Sequence, residues 1–156
     1  MSIVAITAGI VLLNASQKNQ PQAKTTDIGT PIGIIGNFAI TDKQYIVPIS
    51  NQSLPQIQAY TDPLAEGDKL TGNGIEFTTE FLAELAKHHI AVTSATIYTR
   101  DYSILRLATD TNVIYKEKPS ASTLASSLQS MLSVFTIEGR VPSEIDFRFD
   151  KPVLRY

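Results

Sequence analysis

The residues whose types could support catalysis are two adjacent histidines and a group of serines. His88 and His89 fall at the end of a predicted helix, where neighbouring side chains point about 100° apart and cannot share a metal ion. A helix C-terminus favours their charged forms, which is the simplest interpretation of the pair. The serines lack the Gly-x-Ser-x-Gly context of a nucleophile; they are Ser126, Ser127 and Ser130.

Three acidic residues, Asp62, Glu66 and Asp68, offer the other possible chemistry. They could hold a cation loosely, or Asp62 or Glu66 could act with His88 in a small hydrolase. The glycine and terminal glutamate of a calcium loop are missing, so a solvated acidic loop is the preferred interpretation. An enzyme needs a nucleophile, an acid–base pair or a metal site with supporting geometry. We therefore predict no catalytic residue, no metal site and no cofactor.

Composition indicates one globular domain. The chain has 156 residues, of which 43% are hydrophobic and 18% are charged, as in ordinary folded proteins. Thirteen basic residues stand against fifteen acidic ones, and the longest basic cluster is Lys116-x-Lys118, so nucleic-acid binding has little support. The chain has no cysteine, which excludes disulfides and thiolate metal sites.

The N-terminal segment, residues 2–13, is uncharged and almost wholly apolar. It is shorter than the about 20 residues that a transmembrane helix requires, and no basic residues precede it as in a signal peptide. It could be a truncated membrane anchor, a buried strand or, least favoured, a complete signal peptide. We divide the chain into this possible anchor (residues 1–14), a polar linker (residues 15–30) and a domain (residues 31–156).

The domain pattern predicts strands and two amphipathic helices. We expect a first hairpin from residues 31–40 and 43–49, then a mostly irregular segment at 51–73, which Leu54, Ile57, Tyr60 and Leu64 would pin to the core. Apolar side chains at helical spacing predict helices over residues 75–89 and 121–135, the second capped by Ser120 or Ser122.

Between the helices, three strands with short turns indicate an antiparallel meander over residues 90–99, 102–108 and 113–116. Two further strands close the chain. Strands and helices do not alternate strictly along the sequence. The predicted fold class is therefore α+β, a mostly antiparallel sheet with both helices packed on one face.

The closing fourteen residues read SEIDFRFDKPVLRY. Apolar and charged side chains alternate from residue 145 to residue 150, which predicts a half-buried strand with Asp146 and Arg148 as a surface ion pair. Residues 153–156 predict a short last strand. Pro152 at its start removes a ladder donor, which fits a strand at the edge of the sheet. Such an edge can accept a strand from another chain.

Residues 31–156 resemble the extracytoplasmic β domain of the bacterial cell-division family FtsQ/DivIB. The similarity lies in the hairpin at 40–48, the Leu-Pro-x-Ile at 54–57, the second helix at 124–132 and the Ile-Asp-Phe-Arg-Phe-Asp at 145–150. The closing motif is the most specific of the four. Too few residues precede residue 31 for both a membrane anchor and the polypeptide-transport-associated (POTRA) domain found in that family.

The resemblance implies a non-enzymatic divisome scaffold, active in septum formation, with its globular domain outside a membrane that it crosses once. Its implied partners are FtsB/DivIC-like and FtsL-like division proteins, the first of which adds a strand at the C-terminal edge. The residues implied in partner binding are Arg148, Phe149, Lys151, Val153, Leu154, Arg155 and Tyr156. The alternative is a secreted or surface module that binds protein or glycan through residues 51–73.

Overall fold

The computed structural model describes residues 26–72, 74–99 and 101–156. The apolar segment at 2–13 and most of the predicted linker lie outside these ranges. The strands are β1 (Pro31–Ile35), β2 (Phe38–Thr41), β3 (Ile46–Val47), β4 (Gln56–Ala59), β5 (Val92–Thr99), β6 (Tyr102–Leu107), β7 (Asn112–Tyr115), β8 (Glu144–Asp146) and β9 (Val153–Arg155). The helices are α1 (Ile75–Lys87) and α2 (Ala121–Glu138).

All nine strands form one sheet in the order β3-β2-β1-β4-β5-β6-β7-β8-β9. Neighbours pair antiparallel except β1 with β4, β4 with β5, and β7 with β8, which are parallel. The three strands β5, β6 and β7 form the predicted antiparallel meander. The predicted α+β fold with a mostly antiparallel sheet is therefore confirmed.

Both helices pack against each other and share one hydrophobic core with the sheet. The stripe Ile75, Phe81, Leu82 and Leu85 buries one side of α1, as its helical spacing predicts. Phe81 meets the ring of Tyr115 on β7 edge to face, with centroids 5.1 Å apart. None of the helices within the described ranges is long and apolar enough to cross a membrane.

The N-terminus of α2 is capped by Ser120, one of the two predicted residues. Its Oγ accepts a hydrogen bond from the Thr123 backbone N–H at 3.3 Å. We expect Ser120→Ala to lower the free energy of unfolding by about 1 kcal/mol, since that amide would lose its partner. Urea unfolding measures the change. The control is Ser126→Ala, since Ser126 is an exposed serine in the middle of α2; it should raise the free energy of unfolding by a few tenths of a kcal/mol. Equal effects of the two substitutions would contradict the capping role of Ser120.

Two sequence predictions are wrong in the first half of the domain. Residues 31–40 are not one strand, because Gly36 adopts φ +58° and the chain turns there to separate β1 from β2. The segment at 51–73 is mostly irregular, as predicted, but it contains β4, which lies between β1 and β5 in the interior of the sheet. Ile57 on β4 is buried as expected, but Tyr60 does not pin this segment, since it is 93% exposed.

The last residues of the predicted linker are attached to the domain. The Thr30 backbone N–H donates to Asp42 Oδ1 at 2.8 Å, and Asp27 forms an ion pair with Lys43. Both partners lie in the turn between β2 and β3. The described residues 26–30 therefore lie against this turn.

Candidate functional site

The sheet has two edges, and the chain itself covers the edge at β3. The Ile46 N–H donates to the Asp68 carbonyl at 2.8 Å, and the Gly67 N–H donates to the Ile46 carbonyl at 2.9 Å. The Leu70 N–H donates to the Gln44 carbonyl at 3.0 Å. Residues 65–70 therefore take up main-chain groups that an edge strand would otherwise expose.

The other edge, β9, pairs on one side only. Its register with β8 is antiparallel, with Leu154 opposite Ile145, and no described segment pairs with its other side. The Arg155 carbonyl accepts the Ser143 N–H at 2.8 Å, so the main-chain groups of Arg155 face β8. Because successive residues of a strand point their N–H and C=O to opposite sides, those of Leu154 face the open side.

The predicted edge position of the last strand is thus confirmed for Val153–Arg155, and Tyr156 follows the strand. The side chain of Leu154 is half-buried against the core, while Val153 and Arg155 project from the opposite face. Arg155 Nη1 lies 3.0 Å from Glu144 Oε1, but this ion pair lacks hydrogen-bond geometry. The open edge therefore combines free backbone groups with exposed apolar and cationic side chains.

The turn from β8 to β9 is built on Asp146 and Arg148. The Arg148 backbone N–H and its Nε each donate to Asp146 Oδ1 at 3.0 Å, and Nη2 donates to Oδ2 at 2.7 Å. The predicted surface ion pair is wrong in one respect, since Asp146 is only 3% exposed. Its hydrogen bonds from Arg148 hold the pKa of the Asp146 carboxyl below its usual value.

These hydrogen bonds also correct the predicted strand at 145–150. By accepting the Arg148 backbone N–H, the Asp146 side chain bends the chain, and β8 ends at Asp146. Phe147 remains buried, but Phe149 is 58% exposed. The alternation of apolar and charged residues at 145–150 therefore continues beyond the end of β8.

Two tyrosines that sequence reasoning missed lie beside this turn. Tyr98 and Tyr102 stack with ring centroids 5.0 Å apart, and the Arg148 guanidinium lies 5.0 Å from the Tyr102 centroid. Phe149 is on the other flank, 5.9 Å from the same guanidinium. The sequence places the two tyrosines on either side of the β5–β6 turn, but no local sequence pattern relates either of them to residue 148.

All seven residues predicted for partner binding lie on the β8–β9 hairpin or directly after it. Arg148 and Leu154 are half-buried and the other five are exposed. The cationic groups differ in availability, because Arg148 and Arg155 are engaged with Asp146 and Glu144. Lys151 forms no ion pair with any residue that the structure describes.

In the part of the chain that the structure describes, no hydrogen bond or ion pair joins His88 to Asp62 or Glu66. His88 caps the C-terminus of α1, where its backbone N–H donates to the carbonyls of Glu84 and Leu85. Within residues 26–72, 74–99 and 101–156, no group of three or more histidine, aspartate or glutamate side chains is placed to hold a metal ion.

Comparison with models of known protein families gives no match. Comparison with curated proteins likewise finds no significant similarity.

Proposed function

We propose that this chain is a non-enzymatic scaffold of the bacterial divisome, which binds a bitopic FtsB/DivIC-like partner by β-strand addition during septum formation. The observation that carries the proposal is β9, an edge strand whose outer side is unpaired among the described residues. It immediately follows the Ile-Asp-Phe-Arg-Phe-Asp motif on which the FtsQ/DivIB resemblance mainly depends. An FtsL-like protein would join the same complex, and the N-terminal apolar segment would anchor the domain outside the membrane.

Main-chain hydrogen bonds would supply affinity, and side chains at alternate positions would supply specificity. On one face the partner strand would meet Val153 and Arg155, and on the other it would meet Leu154. Exposed Lys151 forms no ion pair among the described residues and offers a positive charge near the start of β9. The partner strand is therefore expected to carry apolar residues with an acidic residue beside them.

Replacing the backbone amide of Leu154 with an ester tests this proposal while every side chain is kept. The ester removes an N–H that faces the open side, and we expect partner affinity to fall about tenfold, the cost of leaving one interface acceptor unsatisfied. The measurement is titration of the full chain with the cognate FtsB/DivIC-like ectodomain.

The matched control is the same ester at Val153, whose N–H faces β8. It should lower stability and leave affinity for the partner close to that of the unmodified chain. Unchanged affinity in the Leu154 ester, or no binding by the unmodified chain, would overturn the proposal. The ester is preferred to deletion of residues 153–156, because deletion would expose β8 as a new edge.

A further inference from the structure

A second candidate site lies between the segment that covers the β3 edge and the residues that follow β4. A cavity of about 350 Å³ opens between the end of β4 and the start of α1. This volume is within the range of small-molecule sites. Its lining includes Tyr60, Thr61, Asp62, Asp68, Lys69 and Thr71.

One wall of the cavity is held in place by the sheet. Asp68 Oδ2 accepts the Ala65 N–H at 2.8 Å, and the Asp68 carbonyl accepts the Ile46 N–H at 2.8 Å. Next to it, Lys69 Nζ lies 5.5 Å from the centroid of the Tyr45 ring. Because these contacts tie the wall to β3, a ligand would meet a preformed surface there and pay little for ordering it.

Other side chains of the lining have no partner among the described residues. Tyr60 is 93% exposed and its ring contacts no other ring in the described residues. The Asp62 carboxylate and the hydroxyls of Thr61 and Thr71 make no hydrogen bond within those residues. The cavity thus joins one free aromatic face to several free polar groups that can accept or donate hydrogen bonds.

We infer that this cavity binds an uncharged saccharide. The aromatic face of Tyr60 suits the C–H face of a sugar ring, since tyrosine combines an apolar surface with a polar tip. The carboxylate of Asp62 can accept charge-assisted hydrogen bonds from sugar hydroxyls. The lining contains two carboxylates, Asp62 and Asp68, and one ammonium group, Lys69, so its net negative charge disfavours anionic ligands.

This inference does not depend on the proposed division role. None of the residues that line the cavity lies on β8, on β9 or in the turn between them, so a substitution at one site leaves the residues of the other in place. Loss of partner binding and loss of saccharide binding can therefore be observed separately.

The test is titration of the full chain with chitohexaose, cellohexaose and maltohexaose, followed by NMR chemical shifts, with an anionic hyaluronan oligosaccharide as comparison. We expect at least one neutral oligosaccharide to bind and the anionic one to bind more weakly. Tyr60→Ala should weaken the neutral ligand at least about tenfold, as truncation of an aromatic anchor does. Asp62→Asn should weaken it by a smaller factor.

Tyr156→Ala is the matched control, because Tyr156 is another exposed tyrosine and follows β9, at the end of the sheet that does not line the cavity. It should leave saccharide affinity unchanged. Three results would each overturn the inference: no neutral oligosaccharide binds, Tyr60→Ala binds as tightly as the unmodified chain, or hyaluronan binds most tightly. Thermal unfolding of each variant shows whether the fold is retained.

Discussion

Asp146→Ala should lower the free energy of unfolding by about 3 kcal/mol. The substitution removes a buried carboxylate that accepts hydrogen bonds from the backbone and the guanidinium of Arg148. It leaves Arg148 beside the rings of Tyr102 and Phe149 without its counter-charge. Urea unfolding at neutral pH measures the loss.

The same carboxylate should make stability depend on acid. Because the pKa of Asp146 is lower in the folded chain than its ordinary value of 3.8, the unfolded state binds a proton first as the pH falls. The stabilisation is therefore complete well above pH 3.8 and is lost as the pH drops through the folded-state pKa. Asp146→Asn keeps one acceptor oxygen and removes the charge, so it should be less destabilising than alanine and should lose this acid dependence.

Asp150→Ala is the control for both effects. Asp150 is exposed in the same turn and forms no ion pair with any described residue. Its removal should change stability by less than about 0.5 kcal/mol. If Asp146→Ala were as mild as this control, Asp146 would not organise the β8–β9 turn.

Tyr115→Phe should lower the free energy of unfolding at neutral pH and raise it at alkaline pH, relative to the unmodified chain. The Tyr115 hydroxyl is buried and lies 2.8 Å from Thr78 Oγ1, which joins β7 to α1. At pH 7 the substitution should cost about 1 kcal/mol, the net value of one hydrogen bond. Burial raises the pKa of Tyr115 to about 12 from an ordinary value of 10.0.

Between these two pKa values the unfolded chain releases the tyrosine proton while the folded chain retains it. Stability of the unmodified chain therefore falls as pH rises, by about 2 kcal/mol from this group at a pH of about 11.5. The phenylalanine variant has no such loss and should become the more stable protein there. Tyr98→Phe, which removes an exposed hydroxyl, should keep the alkaline loss; parallel curves for Tyr115→Phe and the unmodified chain would contradict the prediction.

Local pattern was sufficient to predict both helices and the central meander. Apolar spacing identified the buried faces that carry Phe81 and Leu85 on α1 and Leu124 and Leu128 on α2. Strand order was not predictable in this way. β4 has only one large apolar side chain, Ile57. Of its two parallel partners, β1 is separated from β4 in the sequence by β2 and β3, and β5 is separated from β4 by α1.

The candidate edge was predictable in position but not in construction. A proline followed by a short apolar run at the chain end indicated β9. Burial of Asp146 depends on Arg148 folding back two residues later, which alternation alone does not encode. The contacts of Tyr102 with residue 148 join segments far apart in the sequence. Closure of the β3 edge involves main-chain hydrogen bonds, which leave no side-chain pattern to read.

Closure of the β3 edge limits the number of edges at which the sheet can add a strand. A sheet with two free edges can add copies of itself at both ends and grow into a fibre. Here residues 65–70 occupy one end, so among the described residues only β9 remains for growth. Two chains joined β9 to β9 would use both open edges and stop there. A chain that has bound a partner strand at β9 has no second open edge among its described residues, so copies of this chain do not polymerise through that part of the sheet.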